Sequence, residues 1–523
     1  MLADLGKISK RYSCNLKFVM IVEFTLCLIV FALFRFVLVS GHIAQDLPPG
    51  PYRWPLIGNV VEMALADLKY PHKALGLMAK KYGDIMGLGF GVHYMVVISS
   101  YEAIKDILSR PEVSMARLVW PFVADRAYGK TNMGIIWNGF ESWQELKRFT
   151  IRTMRDFGFG KRNSMTVVMQ DEVKDLVAEI KSQISTDGVW DVDAWLLASS
   201  AINILWSLVA GYRFSLGDAK LRRAVQLNDN IVHAVGFTNK YSIFPWVKDW
   251  FPKWSRHEEH VACYEEMQVF LKDIIDEIDA KRKARSNPDP ESFIEVFLHE
   301  AEKRGGSDEN YNIEQLIVIL QDLFLAGSET TSNTVNWLLL YVAMNPEVQK
   351  RVQMEIAEVI GPNNVPTLHH ENRMPYTKAT ILETFRTAII LPMPGPRVAT
   401  QDLTVGEYVI PKGAGVTYNL GPMLGDTEYW GDPQVFRPER FLRKEDQGEY
   451  QIVKAERILM FGFGRRICLG ESLAWNSLFL YTTTLLQKFE LSIIPGMEPS
   501  GIAISSGTLS PEPYRLRVKC REE

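Results

Sequence analysis

The residues best suited to chemistry surround one cysteine near the carboxyl end of the chain. The run from 461 to 470 includes Phe461, Gly464, Arg466, Cys468 and Gly470. Glycines let backbone N–H groups approach the sulfur, and the apolar stretch 469–488 predicts a helix whose positive end lies near Cys468. Such a thiolate beside Arg466, in a dry pocket, suits an axial ligand of haem iron with the arginine on a haem propionate. An inert buried cysteine in a strand-to-helix turn is the alternative.

A second pattern lies inside a long apolar stretch. Asn312 can cap a helix that runs to Met344, and Asn345-Pro346 ends it. Its centre reads Ala326, Gly327, Ser328, Glu329, Thr330 and Thr331. Burying an acid and hydroxyls unpaired is costly, so they predict a function, and the small residues before them let a ligand lie against the backbone. A helix bent by hydroxyl-to-backbone bonds, without chemistry, is the alternative.

Both patterns resemble those of the cytochrome P-450 family, the haem-thiolate monooxygenases. The cysteine run meets every fixed position of Phe-x-x-Gly-x-Arg-x-Cys-x-Gly, and the helix meets Ala/Gly-Gly-x-Asp/Glu-Thr-Thr/Ser. The resemblance extends from about Pro48 to the end and implies a mainly α fold with smaller β-sheets, with haem b bound through Cys468. It also implies that Thr330 hydrogen-bonds the oxygen being activated and that Glu329 delivers protons through water. The small Ala326 and Gly327 would lie against the haem.

The resemblance assigns supporting roles to further residues. Glu383, Arg386 and Arg440 take the places of a buried ionic network that supports the cysteine loop. Without the resemblance, Glu383 and Arg386 alone would be interpreted as a surface pair worth under about 1 kcal/mol.

The haem propionates need cations as partners. Arg397 stands with Arg466 where the family places such cations, and Arg117 is a weaker candidate. Trp143 and Lys147 match the family's Trp-x-x-x-Arg with lysine in place of arginine, which keeps the charge but loses bidentate geometry.

Composition and charge bound the remaining possibilities. The 523 residues are 47% hydrophobic with a net charge of −4, which predicts a large core and argues against nucleic-acid binding. The five cysteines show no disulfide pattern. Without repeats or a long linker, we expect one haem domain over 47–523, with a proline-rich hinge at 47–59, behind a membrane anchor at 1–46.

The predicted anchor is the apolar segment 18–39, interrupted only by Glu23, Thr25 and Arg35. A cleaved signal peptide is disfavoured because no small-x-small site follows it. Basic residues precede the segment, so the positive-inside rule alone would place the haem domain in the lumen. The resemblance implies the opposite, an endoplasmic reticulum membrane protein whose domain faces the cytosol.

The chain lacks a Gly-x-Gly-x-x-Gly motif after a strand, so its electrons must come from a partner. The resemblance implies NADPH–cytochrome P-450 reductase, with cytochrome b5 as a second candidate. The basic run from Lys147 to Arg162 is the expected docking face, although a solvated helix face is the alternative.

The resemblance to animal microsomal members, with a leaning towards arthropods, implies insertion of one oxygen atom from O2 into a small lipophilic substrate. The expected pocket includes Ile135, Trp137, Phe324, residues 391–395, Thr508 and Leu509, with room above the haem at Gly395. Three alternatives remain: a peroxide isomerase or dehydratase, a haem sensor or carrier, and a mitochondrial monooxygenase. The retained Glu329 and Thr330 disfavour the first two, and the apolar leader disfavours the third.

Overall fold

The computed structural model describes residues 46–521, except 140, 159–161, 236–238, 288, 306–307, 446–449, 454 and 506, together with Thr25 and Val30. Most of the predicted anchor segment 18–39 therefore lies outside the described residues. Within the part that is described, no helix has the length and apolar character needed to cross a membrane.

The fold is mainly helical, as the resemblance implied. Its α-helices are α1 (Val60–Asp67), α2 (Pro71–Tyr82), α3 (Tyr101–Ser109), α4 (Pro111–Ser114), α5 (Pro121–Asp125), α6 (Ser142–Asp156), α7 (Arg162–Gln183), α8 (Ala194–Ala210), α9 (Ala219–Val235), α10 (Lys240–Ile243), α11 (Val247–Trp250), α12 (Pro252–Ser255), α13 (His257–Ala284), α14 (Phe293–Lys303), α15 (Ile313–Met344), α16 (Pro346–Val359), α17 (Pro375–Ala388), α18 (Leu420–Leu424), α19 (Thr427–Trp430) and α20 (Glu471–Lys488). Short 3₁₀ turns occupy Leu368–Arg373, Pro438–Phe441 and Gly464–Arg466.

The sheets are small. The strands are β1 (Ile85–Phe90), β2 (His93–Ile98), β3 (Val189–Asp191), β4 (Arg397–Val398), β5 (Leu403–Val405), β6 (Tyr408–Ile410), β7 (Gly415–Tyr418), β8 (Leu442–Lys444), β9 (Tyr450–Ile452), β10 (Phe489–Ile493), β11 (Ala503–Ser505), β12 (Leu509–Pro511) and β13 (Arg515–Cys520). One sheet has the order β1-β2-β7-β4, another β10-β13-β3, and three hairpins pair β5 with β6, β8 with β9 and β11 with β12. Only β2 and β7 pair in parallel among these ladders.

The long central helix α15 begins and ends where the sequence predicts. The side chain of Asn312 accepts a hydrogen bond from the backbone N–H of Gln315 at 2.9 Å, which caps its first turn. Asn345 ends the helix, because the following Pro346 begins α16. Most residues of α15 are buried, so it runs through the hydrophobic core rather than over its surface.

The proline-rich segment 47–59 is attached to the domain. The N–H of Gly87 on β1 donates to the carbonyl oxygen of Pro49 at 2.9 Å, and the Asn59 side chain accepts from the N–H of Gly89 at 2.8 Å. A Cβ on Gly50 would lie 1.8 Å from the Gly87 carbonyl oxygen, so only glycine fits there. The segment contains no helix, as its prolines predict, but it packs along β1 instead of forming a free linker.

Candidate active site

A tight turn presents Cys468. The backbone N–H of Cys468 donates to the Phe461 carbonyl oxygen at 2.8 Å, and the N–H of Ile467 donates to the Gly464 carbonyl oxygen at 3.1 Å. Gly464 has a φ of +75°, and a Cβ there would lie 2.4 Å from the Leu108 carbonyl oxygen. Glycine is therefore required at 464, both by the left-handed backbone and by the close approach of α3. The Phe461 ring packs edge-on against Phe385 of α17, with 5.5 Å between the ring centroids.

The sulfur of Cys468 lies at the amino end of α20. It accepts hydrogen bonds from the backbone N–H groups of Gly470 and Glu471, as the glycine pattern predicts. The side chain is accessible, yet the surrounding protein desolvates it and raises the pKa of the thiol. These N–H groups and the Lys147 ammonium oppose that rise, whereas the Glu471 carboxylate adds to it. Without a bound group, the loop therefore favours the thiol, whereas the sequence pattern predicted a thiolate.

Three arginines converge beside this loop. Arg117 and Arg397 form a β-bridge, and both lie close enough to Arg466 that, after burial, their charges are the main causes that lower its pKa. Arg466 donates to the carbonyl oxygens of Met115, Ile135 and Asn138. Arg117 donates to the carbonyl oxygens of Ile136 and Gly395.

Two residues of α6 contact the arginine cluster and the cysteine loop. The indole of Trp143 is buried, with the Arg466 guanidinium 3.6 Å from its ring centre. Lys147 donates to the carbonyl oxygen of Arg465 at 2.7 Å and lies 5.1 Å from the same ring centre. Lys147 therefore contacts the cysteine loop directly, whereas the neighbouring Arg148 is exposed.

This cationic cluster fits the two carboxylates of a haem. In the described part of the chain, neither Arg117, Lys147, Arg397 nor Arg466 forms a salt bridge. Arg397 is buried and donates through Nη2 to the Phe463 carbonyl oxygen at 3.1 Å, but its Nη1 has no hydrogen-bond partner among the described residues. A buried cationic donor without a partner is costly, so an anionic group is expected there.

A buried carboxylate that the sequence reasoning missed fixes the loop between α5 and α6. Asp322 on α15 pairs with Arg126 at 2.6 Å and accepts from the backbone N–H groups of Ile135 and Ile136 at 2.6 and 3.0 Å. Since Arg466 holds the carbonyl oxygen of Ile135, one peptide segment joins α15 to the cationic cluster. The sequence did contain a signal for this clamp, because Asp322 is an acidic residue within an apolar helix, one turn before Ala326.

The buried ionic network has the predicted members. Glu383 and Arg386 of α17 form two hydrogen bonds of 2.8 Å, and the Arg440 Nε donates to Glu383 at 3.1 Å. The backbone N–H of Arg437 adds a further bond to Glu383 at 2.9 Å. Glu383 is completely buried, so this is an internal network rather than a surface pair.

The acid and threonine of α15 border a cavity of about 1380 Å³, counted with its opening. Its lining includes Trp137, Ala326, Glu329, Thr330, Leu391 and Thr508. The Thr330 hydroxyl donates to the Ala326 carbonyl oxygen at 2.8 Å, which is the helix-bending bond considered above, and its oxygen can still accept.

Glu329 is held by a short chain of side chains. Its Oε2 accepts from the Thr508 hydroxyl at 2.9 Å, and the Asn333 amide donates to that hydroxyl at 2.9 Å. Burial raises the pKa of Glu329 to about 8, with a further contribution from the Asp229 carboxylate and opposition from the Thr508 hydrogen bond. A protonated acid and a hydroxyl thus face one apolar cavity, where they could hold and pass a proton.

A Cβ on Gly327 would lie 2.5 Å from the Leu205 side chain of α8, so the absence of a side chain lets α8 and α15 pack closely, and the contact of Gly327 with haem stays a prediction. Three other expectations for this region need correction. Phe324 packs in the core against Trp206, and Ile135 is also a core residue, so neither lines the cavity. Gly395 leaves no added room, because the Trp137 indole lies 2.9 Å from where its Cβ would be.

The predicted basic face is only partly described. Arg148, Arg152 and Arg155 of α6 are exposed, which a docking surface requires. Lys161 lies outside the described residues, and only the backbone of Arg162 is described.

Comparisons of the sequence with a family profile and with known proteins all point to one family. The cytochrome P-450 family profile matches residues 48–518. Cytochrome P-450 2J1 of Oryctolagus cuniculus is 32% identical over 90% of this chain and 91% of its own length. Cytochrome P-450 2J2 of Homo sapiens is 33% identical, with 90% and 91% covered. The farnesoate epoxidase of Bombyx mori is 31% identical over 92% of this chain and 96% of its own length.

Proposed function

Because the chain belongs to the cytochrome P-450 family, whose members are haem-thiolate monooxygenases containing haem b, we propose that it is a microsomal enzyme acting on a small lipophilic substrate. One oxygen atom of O2 enters the substrate and the other leaves as water, with two electrons from NADPH and two protons completing the balance. The observation that carries the proposal is that Arg117, one of the three clustered arginines beside the Cys468 loop, also lines the cavity of Glu329 and Thr330.

The haem would be held by residues already described. Cys468 would be the axial ligand, and Arg397 and Arg466 would bind the propionates, with Arg117 and Lys147 adding positive charge. When bound, the haem supplies the binding and reductive activation of O2. The Trp143 ring would support Arg466, Gly464 allows the turn, and the Gly470 N–H bonds the sulfur. Phe461 and the network of Glu383, Arg386 and Arg440 would keep the loop in place.

Proton supply falls to Glu329 and Thr330. A carboxyl with a pKa of about 8 is mostly protonated at neutral pH, so Glu329 can donate where an ordinary glutamate could not. The Thr330 oxygen can accept a hydrogen bond from water while its own hydroxyl hydrogen is donated to the Ala326 carbonyl oxygen. Ala326 contributes by leaving space beside the threonine.

Electrons would come from NADPH–cytochrome P-450 reductase, with cytochrome b5 as a second donor. Arg148, Arg152 and Arg155 would form the docking face for an acidic partner, since opposite charges steer encounter. Reduction by the reductase should therefore slow as ionic strength rises, and substituting these three arginines by glutamine should remove much of that dependence.

The proposed location is the endoplasmic reticulum membrane with the domain facing the cytosol, and an exposed aromatic group supports the contact with a membrane. Trp246, Trp250, Phe251 and Trp254 are all exposed, the second by 76% and the last by 60%. Lys240 and Lys248 lie in the same segment. Tryptophan and phenylalanine next to lysine suit the interface of a bilayer. This surface would supplement the proposed anchor at 1–46.

The ferrous–carbon monoxide difference spectrum of the expressed protein tests the proposal first. The strongly red-shifted Soret band of thiolate-ligated haem is expected, and Cys468→Ala should abolish it while Cys520→Ala, a control at an exposed cysteine, keeps it. A folded protein without that band would refute the haem-thiolate assignment.

Thr330→Ala tests the second half of the site. The variant should still bind substrate, but it should consume NADPH with release of peroxide or water instead of product. Unchanged coupling of NADPH consumption to product would remove Thr330 from the proposed role.

A further inference from the structure

A small polar pocket lies behind the wall of the substrate cavity. Asn228 of α9, Tyr264 of α13, Gln321 of α15 and Arg126 line it together with apolar neighbours. Each of these four side chains is between 2% and 6% exposed. Yet the Arg126 Nε, the Asn228 Nδ2, the Tyr264 hydroxyl and both amide atoms of Gln321 have no hydrogen-bond partner among the described residues.

Orphaned polar atoms of this kind are rare in folded proteins, and each costs free energy comparable to a lost hydrogen bond. Atoms from four residues on separate elements converge on one pocket, so a shared ligand explains them better than separate defects. The space there is that of about one water molecule, which limits the ligand to a single oxygen-bearing group.

The chemistry of the donors specifies the group further. Among the atoms without a partner, three N–H groups and the Tyr264 hydroxyl are donors, whereas the Gln321 carbonyl oxygen can only accept. The ligand must therefore mainly accept hydrogen bonds. The charge of Arg126 is already matched by Asp322 at 2.6 Å, which leaves no net charge to attract a carboxylate. A neutral carbonyl or hydroxyl oxygen fits best.

The pocket adjoins the substrate cavity. Leu325, which is partly exposed, lines both the polar pocket and the cavity that holds Glu329 and Thr330. Leu325 thus borders both spaces, and rotation of such a side chain is a fast, low-cost movement.

We propose that this pocket is an oxygen-binding subsite of the cavity, which receives the terminal carbonyl or hydroxyl oxygen of an elongated lipophilic substrate past Leu325. A water molecule would take its place when no such substrate is bound, accepting from two of the donors and donating to the Gln321 carbonyl oxygen. The proposal rests on the proposed monooxygenase function only in taking the adjoining cavity as the substrate site.

Two probes that differ only in a carbonyl oxygen show whether the pocket binds a substrate oxygen or only water. The full-length haem-containing protein is titrated with 2-tridecanone and with tridecane, and the change in the Soret band of the haem gives each dissociation constant. The wild type should bind the ketone at least about tenfold more tightly than the alkane. Tyr264→Phe and Gln321→Leu should each reduce that preference about fivefold or more, since each removes partners of one hydrogen-bonded oxygen.

Two further variants sharpen the result. Tyr212→Phe makes the same chemical change at a tyrosine that does not line the pocket, and it should leave the preference unchanged. Leu325→Ala should strengthen ketone binding more than alkane binding, because it opens the path. The carbon monoxide band of every variant is recorded first, so a lost haem site is distinguished from a lost preference.

A wild type without preference for the ketone would overturn the proposal. So would Tyr264 and Gln321 variants whose loss of affinity is equal for ketone and alkane, because the pocket would then hold water only.

Discussion

The pH dependence of stability offers a sharp test of the environment of Glu329. Its carboxyl has a pKa of about 8 in the folded protein against 4.5 for an ordinary glutamate. Between these values the folded protein binds a proton that the unfolded chain has released. The free energy of unfolding must therefore fall as pH rises through this range, and the loss is complete above the folded-state pKa.

The magnitude follows from the shift. One pKa unit corresponds to about 1.4 kcal/mol, so two pH units within the range amount to about 3 kcal/mol. Glu329→Gln keeps the shape of the protonated acid but cannot ionise. From pH 5.5 to pH 7.5 the wild type should therefore lose about 3 kcal/mol of unfolding free energy relative to the variant.

Thermal unfolding, followed by circular dichroism at a fixed scan rate, measures this difference. For a domain of this length the unfolding entropy makes 1 kcal/mol worth about 1 °C, so the two midpoints should separate by about 3 °C over that interval. Thr508→Val is the companion variant. It removes the hydrogen bond that lowers the pKa of Glu329, so its loss should extend to higher pH than in the wild type.

Parallel midpoints for the wild type and Glu329→Gln across pH 5.5 to 7.5 would refute the reasoning. They would mean that Glu329 is ionised at neutral pH and cannot act as the proposed acid.

Three further predictions concern the supports of the site. Arg386→Met leaves the buried Glu383 carboxylate with too few partners and should lower the free energy of unfolding by about 3–5 kcal/mol. The loss should appear as a weaker carbon monoxide band per mass of protein. The control Arg443→Met, at an exposed pair, should change the free energy of unfolding by less than about 1 kcal/mol. Gly395→Leu should displace the indole of Trp137 and alter ligand-induced spectral shifts, and adding Trp137→Phe should restore them in part; an unaltered titration in the single variant would contradict the packing. Deleting residues 1–46 should weaken sedimentation with membranes and preserve the carbon monoxide band, whereas loss of the band would show that the segment supports the haem domain.

Features that depend on neighbours in the chain could be predicted from sequence. The bounds of α15 follow from a capping Asn312 and a terminating Asn345-Pro346, both of which act within one turn of the helix. The turn before Cys468 is also a local feature, because the left-handed backbone at Gly464 suits glycine whatever surrounds it. The pairing of Glu383 with Arg386 was predictable because the two residues lie three apart on one helix, whereas its burial and its bond to Arg440 were implied only by the family resemblance.

Only the tertiary structure decided which distant groups meet. Gly327 of α15 packs against Leu205 of α8, and the space expected at Gly395 is filled by Trp137. The clamp of Asp322 on the backbone of Ile135 and the polar pocket at Gln321 join segments far apart in the chain. The sequence by itself therefore determined the chemical groups and their local backbone geometry, since those depend on short-range sterics and hydrogen bonds. The shape and polarity of the cavity were decided by long-range packing, because side chains from separate elements compete for the same space.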